Sequence, residues 1–459
     1  MVIRVHMTWL ACAALSCASA LAGAQAPLPP APGARVVTIT AAGHVGSEPS
    51  IAVNFKSPNQ VVAFAGSDML AYSTDSARTF TLVNPAGEGN KTGGDPSLVF
   101  DDKGNALFSY LSITKLGSSA YWGHGSGPNG VFVRRSPNGG RTWDRDAATV
   151  SQFTERDAVI KLADMPRIWA DVNATSPYRG NLYYAWIEWG LENSIVLFSR
   201  STDAGITWSK PTRISTVPGL PRDDNGSVVG IIGAVAPDGT QYVVWNQGLN
   251  VTMAVSSDGG KTFAPSRPIF DVGPPYFGGT GSIPGVARAM GFPQIAIAPT
   301  SGALYVTWSD YRNGDVDVFI SRSADRGRHW SRPRRVNDDQ LHNGLDQFFQ
   351  WMTVDPVSDD IYVQFYDRRA DPNNRKTRVT LARSTNGGTS FTNYDWSDQS
   401  FTGENAFLGD YMWLTAYDRR VYGVWAEAPD AYATTEPRLQ GAGSPTVIRV
   451  GTADFNARK

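Results

Sequence analysis

The apolar positions of this 459-residue chain fall in short runs separated by turn-forming residues. One unit recurs: a polar or acidic residue, often Pro, a short apolar run ending near Asp or Asn, a turn, and a second run ending in Trp or Tyr. Such runs predict paired β-strands rather than helices. The unit occurs seven times, with first runs at residues 48–54, 95–101, 165–171, 228–237, 292–298, 349–355 and 409–415.

An eight-residue motif, roughly Ser-x-Asp-x-Gly-x-Thr-Trp, follows six of the seven units. Its copies begin at Ser73, Ser136, Ser201, Ser256, Ser323 and Ser384. The intervals of 63, 65, 55, 67 and 61 residues match the length of one four-stranded sheet with its loops. A fixed period of this size predicts the blades of a β-propeller.

Each part of the motif suits a tight turn between antiparallel strands. The Asp carboxylate can accept hydrogen bonds from backbone N–H groups of the turn, and Gly can adopt a positive φ. The terminal aromatic residue fills space between sheets, so we expect Trp143, Trp208 and Trp330 in the core. Because the motif repeats, whereas an active site occurs once, its carboxylates are predicted to be structural.

This motif resembles the Asp-box, or bacterial neuraminidase repeat, and the chain resembles the sialidase-like β-propeller superfamily. The resemblance covers nearly the whole chain after its leader, and it implies an all-β propeller fold. Members of that superfamily include sialidases, other glycan-cleaving enzymes and non-catalytic propellers. The fold alone therefore does not choose a function.

The blade count differs from that of the sialidases, which have six blades. The 425 residues from Arg35 to Lys459 give about 61 residues for each of seven blades, whereas six blades would need about 71. The seventh unit stops without a fourth strand, which residues 35–40 can supply. We therefore predict a seven-bladed propeller closed by an N-terminal strand, with a six-bladed propeller as the alternative.

The N-terminal residues have the pattern of a secretory leader. Arg4 precedes an apolar run, and a small-x-small site ends at Ala24, so residues 1–24 are predicted to be a signal peptide. Residues 25–34 are predicted to be a flexible Pro-rich spacer, and residues 35–459 the propeller. Both cysteines, Cys12 and Cys17, lie in the leader. We expect a secreted or periplasmic protein.

The composition of the chain limits which classes of binding partner are expected. The chain has 41 basic and 42 acidic residues, a net charge of −1, which does not favour nucleic-acid binding. After the leader, no run is long enough for membrane insertion. We expect a monomer whose partner is a glycan, with no cofactor. A ring of carboxylates on the axis would also suit a structural calcium ion.

Loops on the face opposite the motif turns should converge on a central funnel. Residues preceding the first strand of each blade are predicted to face it: Glu48, Asp95, Asp164, Arg167, Arg288, Gln294, Asp346, Gln347, Gln350, Asp410 and Tyr411. Residues leaving the second strands vary between blades. They group Asp310 with Arg312, and Tyr366 with Asp367 and Arg368. Because Arg binds carboxylates bidentately, an acidic sugar held by Arg167, Arg312 and Arg368 is predicted.

The resemblance to sialidases implies further roles. Those enzymes use three arginines on the substrate carboxylate, a Tyr nucleophile activated by a Glu, and an Asp acid/base. Tyr411 or Tyr366 with Glu188 would supply the nucleophile, and Asp95 or Asp164 the acid. The chain departs from the sialidase pattern in its first unit, which has Glu48-Pro49-Ser50 and no Arg.

The function predicted from these residues is an exported glycoside hydrolase acting on a glycan that contains an anionic sugar. Without a Tyr nucleophile, two separated carboxylates could act, drawn from Asp164, Glu188, Asp310 and Asp367. A polysaccharide lyase using His44 or His124 is one alternative. A non-catalytic glycan- or protein-binding propeller is another, with ligand contacts from Gln294, Gln347, Gln350, Trp189 and Tyr276. There is no zinc-binding His or Cys spacing.

Overall fold

The computed structural model describes residues 27–41, 45–85, 94–223, 226–274, 277–403, 406–428 and 446–457. The predicted leader lies outside these residues, as do His44 and Tyr276. The described residues are nearly all in strands and turns. They form seven four-stranded antiparallel sheets arranged as a β-propeller. The seven-bladed prediction is therefore confirmed, and the six-bladed alternative is excluded.

The first half of the chain contributes an N-terminal strand and three complete blades. The N-terminal strand is β1 (Arg35–Thr38). Blades 1 to 3 follow in chain order, each with its innermost strand first: β2 (Ile51–Val53), β3 (Val61–Gly66), β4 (Met69–Ser73), β5 (Thr81–Val83); β6 (Gly94–Phe100), β7 (Ala106–Ile113), β8 (Asn129–Ser136), β9 (Ala148–Phe153); then the helix α1 (Glu155–Ala158) and β10 (Leu162–Ala170), β11 (Leu182–Trp189), β12 (Ser194–Ser201), β13 (Thr212–Arg213).

The second half contributes blades 4 to 7 and one additional hairpin. Its strands are, in chain order, β14 (Val228–Val235), β15 (Gln241–Gln247), β16 (Asn250–Ser256), β17 (Arg267–Asp271); the hairpin β18 (Gly278–Thr280) and β19 (Arg288–Met290); β20 (Gln294–Ile297), β21 (Leu304–Asp310), β22 (Asp317–Ser323), β23 (Arg334–Arg335); β24 (Gln347–Val354), β25 (Ile361–Asp367), β26 (Arg378–Ser384), β27 (Thr392–Asp395); and β28 (Trp413–Tyr417), β29 (Arg420–Glu427), β30 (Val447–Asp454).

The N-terminal strand closes the ring. β1 pairs antiparallel with β30, placing Arg35 opposite Thr452, so blade 7 has the order β1-β30-β29-β28. This pairing covers an edge that would otherwise expose unpaired backbone groups. Residues just before β1 continue onto blade 6, where Ala31 donates its N–H to the Asp395 carbonyl at 2.9 Å and is buried. The described part of the predicted spacer therefore packs along two blades.

The eight-residue motif forms the turn after the third strand of each of six blades. In blade 1, Asp75 accepts bonds from the N–H groups of Arg78 and Thr79, both at 3.0 Å. The Ser73 hydroxyl accepts the Ala77 N–H at 3.0 Å. These bonds satisfy the turn's own backbone, as the structural interpretation of the motif requires.

The aromatic residues that end the motifs are less buried than we expected. Trp143, Trp208 and Trp330 are half-buried and pack edge-on against Phe108, Tyr184 and Phe270. The fully buried tryptophans of the described residues lie outside the motifs, on strands or, for Trp396, directly after one: Trp186, Trp189, Trp245, Trp308, Trp396 and Trp425. The most buried tryptophans are therefore not those of the motifs.

Candidate functional site

The innermost strands line a channel along the axis, and a separate pocket opens where these strands begin. The channel has a volume of about 360 Å³ and is lined by the first strands of all seven blades. The pocket has a volume of about 220 Å³. Its lining combines five carboxyl groups with apolar and aromatic side chains: Glu48, Asp95, Asp164, Asp223, Asp410, Arg288, Leu111, Ile113, Leu116, Trp122, Leu162, Met165, Trp189, Met290 and Phe292.

A backbone irregularity at the start of the innermost strands shapes this end of the channel. Glu48, Asp95 and Met165 have φ values of 53°, 50° and 50°, in the left-handed region. Each of these three is followed by Pro, and the strand register shifts just after Asp95 and Met165. Such bulges bend a strand and redirect its side chains. The sequence Glu/Asp-Pro-Ser thereby brings an acidic side chain to the pocket from blades 1 and 2.

Arg167 forms a bridge between the pocket and the channel. Its Nη1 lies 3.8 Å from Asp95 Oδ1, and its guanidinium lies 5.7 Å from the Trp413 ring centroid in the channel. It also lies 4.1 Å from the Tyr411 ring centroid, and only 2% of its surface is exposed. This arginine is therefore held by groups of the protein and is not among the residues that line the pocket.

Tyr411 is similarly enclosed. Its hydroxyl donates a hydrogen bond of 3.3 Å to Asp95 Oδ1, and 3% of the residue is exposed. Burial raises the pKa of Tyr411 well above its ordinary value, and the carboxylates of Asp95 and Glu48 raise it further against the opposing effect of Arg167. The hydroxyl therefore keeps its proton, which does not suit a tyrosine nucleophile.

Asp164 reaches the pocket from blade 3, where two N–H groups bond its carboxyl oxygens. The N–H of Met165 donates to its Oδ1 at 2.9 Å, and the indole N–H of Trp189 donates to its Oδ2 at 2.8 Å. Burial raises the pKa of Asp164 well above its ordinary value, and the neighbouring Asp95 raises it further. A neighbouring carboxylate disfavours ionisation of a buried acid. Asp164 therefore binds its proton more tightly than an ordinary aspartic acid.

On the blade 7 side, Asp410 is held by an arginine. Arg288 on β19 donates from Nε to Asp410 Oδ1 at 2.7 Å and from Nη2 to Oδ2 at 2.5 Å. Burial raises the pKa of Asp410 to about 6, with Asp223 and Asp95 adding to the increase and Arg288 opposing it. A bidentate guanidinium favours the ionised carboxylate. Asp410 is therefore charged at neutral pH, in contrast to Asp164.

Asp223 and Trp122 complete this side of the pocket. Trp122 donates its indole N–H to Asp223 Oδ2 at 3.0 Å, and the same oxygen lies 3.7 Å from Arg288 Nη1. The N–H of Asp223 also bonds the Ala120 carbonyl at 3.0 Å. The loop of residues 114–128, from blade 2, and the loop preceding blade 4 thus meet above blade 3.

Glu48 is the most enclosed acid of the pocket. Its described hydrogen bond is a long one of 3.4 Å, from the Asp95 N–H to Oε2. Burial raises the pKa of Glu48 well above its ordinary value, and both Asp95 and Asp410 raise it further. Glu48 is therefore harder to ionise than an ordinary glutamic acid.

Other predicted site residues lie outside the pocket lining. Glu188 points away from it and pairs with Lys161 Nζ at 2.9 Å. Arg312 pairs with the buried Asp310 at 2.5 Å. Burial would raise the pKa of Asp310, but hydrogen bonds from Arg312 and the Gly273 N–H outweigh it and lower the pKa. This pair links the end of β21 to the loop after β17, because Asp310 accepts the Gly273 N–H at 2.8 Å.

The predicted residues at the end of β25 are also engaged within the protein. The Arg368 Nη1 donates to the carbonyls of Pro284 and Asn374 at 2.8 and 2.7 Å, and burial lowers the pKa of this arginine to about 10. Asp367 accepts a bond from Arg369 Nε at 2.6 Å. Tyr366 is fully buried, and its hydroxyl donates to the Ala426 carbonyl at 2.5 Å.

Sequence patterns and structure agree on part of the pocket. Asp95 and Asp164 line it, with Arg167 and Tyr411 directly beneath them, as the strand-start pattern indicated. Glu48, Arg288 and Asp410 belong to the same predicted set of strand-start residues. Asp223 and Trp122 were missed, since both lie in long loops without any repeated pattern. His124, a predicted lyase base, has its Nε2 2.9 Å from the Leu191 carbonyl beside the pocket.

Although five carboxyl groups line the pocket, no group of three or more His, Cys, Asp or Glu in the described part of the chain is arranged to hold a metal ion. No helix among those residues is long and apolar enough to cross a membrane.

Comparison with known proteins finds solved structures of similar fold but no related sequence. No protein-family model matches the sequence, and no curated protein matches it. A polysaccharide lyase, an ulvan lyase bound to -[GlcA(1-4)Rha3S]-, is 11% identical, with a TM-score of 0.50 over 85% of this chain and 93% of the lyase. The phage phi92 endosialidase is 11% identical, with a TM-score of 0.50 over 93% of this chain and 70% of its own.

A third similar structure is the α-L-arabinofuranosidase of Fusarium graminearum in complex with an iminosugar inhibitor. It is 12% identical and has a TM-score of 0.49 over 79% of this chain and 92% of its own. At such low identities the likeness shows the propeller fold alone. The chemistry has to be inferred from the pocket.

Proposed function

We propose that this protein is an exported glycoside hydrolase, with Asp164 as the proton donor and Asp410 as the second catalytic carboxylate. The observation that carries the proposal is the contrast between these two groups in one pocket. Burial and the neighbouring Asp95 raise the pKa of Asp164 well above its ordinary value, whereas Arg288 bonds Asp410 bidentately. Two carboxyl groups with opposite protonation states are what acid-catalysed glycoside cleavage requires.

The placement of the two groups supports this assignment. Asp164 is on the first strand of blade 3, and Asp410 directly precedes blade 7, so the two reach the pocket from well-separated blades. A sugar ring between them would present its glycosidic oxygen to Asp164 and its other face to Asp410. In that arrangement Asp410 acts as the nucleophile or as the base that activates water.

The remaining lining indicates the kind of sugar. Carboxylates accept hydrogen bonds from sugar hydroxyls, and Trp122, Trp189 and Phe292 offer apolar surface to the ring. The two arginines of the cluster, Arg167 and Arg288, are already engaged by carboxylates of the protein. A neutral sugar therefore suits the pocket better than the anionic sugar predicted through Arg312 and Arg368.

Pocket size limits how much of the substrate is enclosed. Its volume of about 220 Å³ lies below the range of roughly 300–1,000 Å³ typical of sites for drug-sized ligands. We propose that one terminal sugar ring enters the pocket and that the rest of the glycan stays outside it. The leader pattern predicted for residues 1–24 supports a reaction outside the cytoplasm.

The test is hydrolysis by the mature chain, residues 25–459, on a panel of arabinans, xylans, galactans, sialosides and uronate-containing polysaccharides. Asp164→Asn and Asp410→Asn should each lower kcat by about 10²–10⁴-fold while the circular dichroism spectrum is retained. Glu188→Gln is the matched control, since Glu188 pairs with Lys161 outside the pocket lining, and it should keep most of the activity.

Two outcomes would overturn the proposal. If no glycan is cleaved but one is bound tightly, the protein is a binding propeller. If cleavage yields an unsaturated uronate product, which absorbs in the ultraviolet, the reaction is that of a lyase and the carboxylate pair is not its machinery.

A further inference from the structure

Three exposed apolar side chains lie beside the pocket mouth, on segments that hydrogen bonds and one ring contact join. Tyr121, Val159 and Leu191 are 37%, 48% and 45% exposed. The Tyr121 ring lies 5.3 Å from the His124 ring, and His124 Nε2 lies 2.9 Å from the Leu191 carbonyl. The Val159 carbonyl accepts the N–H of Gly125 at 2.8 Å. We call these residues, Tyr121, His124, Val159 and Leu191, the rim patch.

The rim patch is continuous with the pocket. Trp122, the neighbour of Tyr121, lines the pocket, and so does Trp189, two residues before Leu191. Leu116, which is 38% exposed, belongs to the same loop and also lines the pocket. Single exposed apolar residues need no explanation, but a group of them at the mouth of a pocket indicates a binding surface.

The loop that carries the patch is fixed by its own bonds. The Ser118 N–H donates to the His124 carbonyl at 2.9 Å, and the Gly127 N–H donates to the Lys115 carbonyl at 2.9 Å. Its tip is fastened by the bond of 3.0 Å between the Trp122 indole and Asp223. A surface that is already ordered binds without an added entropic cost.

The position of the proposed proton donor, Asp164, indicates which part of a substrate would lie on this patch. Asp164 accepts the Trp189 indole N–H at 2.8 Å, so the donor carboxyl is on the rim-patch side of the pocket. A general acid protonates the oxygen of the leaving group, which must therefore leave the pocket on that side. The enclosed sugar ring lies on the other side of the scissile bond.

We infer that the rim patch is a binding subsite for the leaving group of the substrate, and that it favours a leaving group with a ring whose flat face can stack on Tyr121. This inference rests on the proposed hydrolase function, because the side of the pocket is assigned through Asp164. The His124 ring packs against Tyr121 and bonds the Leu191 carbonyl, so Leu191 is attached to the same loop and adds exposed apolar surface.

The experiment compares methyl and phenyl 1-thioglycosides, in which sulfur replaces the glycosidic oxygen and slows cleavage. Pairs built on α-L-arabinofuranose, β-D-xylose, β-D-galactose and β-D-glucose are titrated into the mature chain by calorimetry. The phenyl member of a binding pair should have a Kd about five- to tenfold lower than the methyl member, the gain expected for one aromatic contact.

Variants of the rim patch then show which residues cause the lower Kd of the phenyl compound. Tyr121→Ala should raise the Kd of the phenyl thioglycoside to that of the methyl compound and leave the methyl Kd unchanged. Leu191→Ala should act in the same direction with a smaller effect. Ile206→Ala is the matched control: this residue is 60% exposed but lies in a motif turn on the opposite face, so it should change neither Kd.

The outcomes separate this inference from the proposed function. Equal affinities for the two members, a phenyl preference that survives both rim variants, or no binding of any pair overturns the subsite. If hydrolysis of the glycan panel depends on Asp164 in those cases, the hydrolase function still stands. If the predicted binding pattern is found but no glycan is cleaved, the rim patch binds an aromatic ring, but the hydrolase function fails and with it the assignment of that ring to a leaving group.

Discussion

The guanidinium of Arg167 lies 4.1 Å from the ring centroid of Tyr411, although the two residues belong to blades 3 and 7. Asp95 of blade 2 contacts both, through Arg167 Nη1 at 3.8 Å and the Tyr411 hydroxyl at 3.3 Å. Three blades are thus joined at the axis by a cation, an aromatic ring and a carboxylate. This contact forms the floor of the proposed catalytic pocket.

Replacing Arg167 by Met should destabilise the protein by on the order of 3–5 kcal/mol, because the buried Asp95 loses the guanidinium that lies 3.8 Å from it. Urea denaturation at pH 7, followed by tryptophan fluorescence, measures the change. Arg420→Met is the matched control: Arg420 is half exposed and pairs with the exposed Asp454, so its loss should cost less than about 1 kcal/mol. Equal costs for the two variants would mean that the axial contact is not structural.

The repeat in the sequence explains why the fold and part of the pocket were predictable. Once seven units are aligned, the residue that begins each first strand is known to face one end of the axis. Glu48, Asp95 and Asp164 could be assigned in this way, and so could Asp410. The pattern shows where a strand begins, and this is sufficient to place the side chains close to that point.

The same reasoning is weaker for strand ends and long loops. Arg312 follows the second strand of its blade as predicted, but Asp310, two residues earlier, binds its guanidinium. Arg368 donates to backbone carbonyls instead of facing the pocket. A strand pattern does not show with which neighbouring group an arginine will pair. Trp122 and Asp223 meet through loops whose paths depend on tertiary contacts, and no local signal in the sequence reports them.

Removing the closing strand should destabilise the whole propeller. A chain that begins at residue 42 lacks β1 and the residues that pair with Asp395, so it exposes β30 and loses contacts to blade 6. We expect a clearly lower Tm by differential scanning calorimetry. A synthetic peptide of residues 27–41, added in trans, should restore much of it, whereas a scrambled peptide should not. An unchanged Tm after the deletion would contradict closure by this strand.

Stability should fall as the pH rises from about 5 to 7. The pKa values of Glu48, Asp164 and Asp410 are raised in the folded protein, that of Asp410 to about 6, mainly by burial. In this range the folded state binds more protons than the unfolded state, so raising the pH favours unfolding. The same direction holds for other buried acids whose pKa is raised: Asp171, Asp315, Asp346 and Asp367.

Glu48→Gln isolates the contribution of one of these groups. The variant cannot become charged, so its free energy of unfolding should exceed that of the wild type at pH 7 and depend less on pH. The control is Glu192→Gln at an exposed position, which should follow the wild-type curve. Urea denaturation at several pH values provides the data. A variant less stable than the wild type at pH 7 would show that the Glu48 side chain is needed in its charged form.

The pH dependence of catalysis should depend on Arg288. Activity requires ionised Asp410 and protonated Asp164, so kcat/KM should rise with pH through about 6 and fall again as Asp164 loses its proton. Arg288 opposes the increase in the Asp410 pKa, and therefore Arg288→Gln should move the acidic limb to higher pH. Arg312→Gln, which removes a guanidinium bound to Asp310 outside the pocket, should leave that limb in place.

The pH profile is measured on the glycan identified by the hydrolysis panel, and NMR titration of ¹³C-labelled aspartate gives the Asp410 pKa directly. An acidic limb that does not move in Arg288→Gln would exclude Asp410 as the ionising catalytic group.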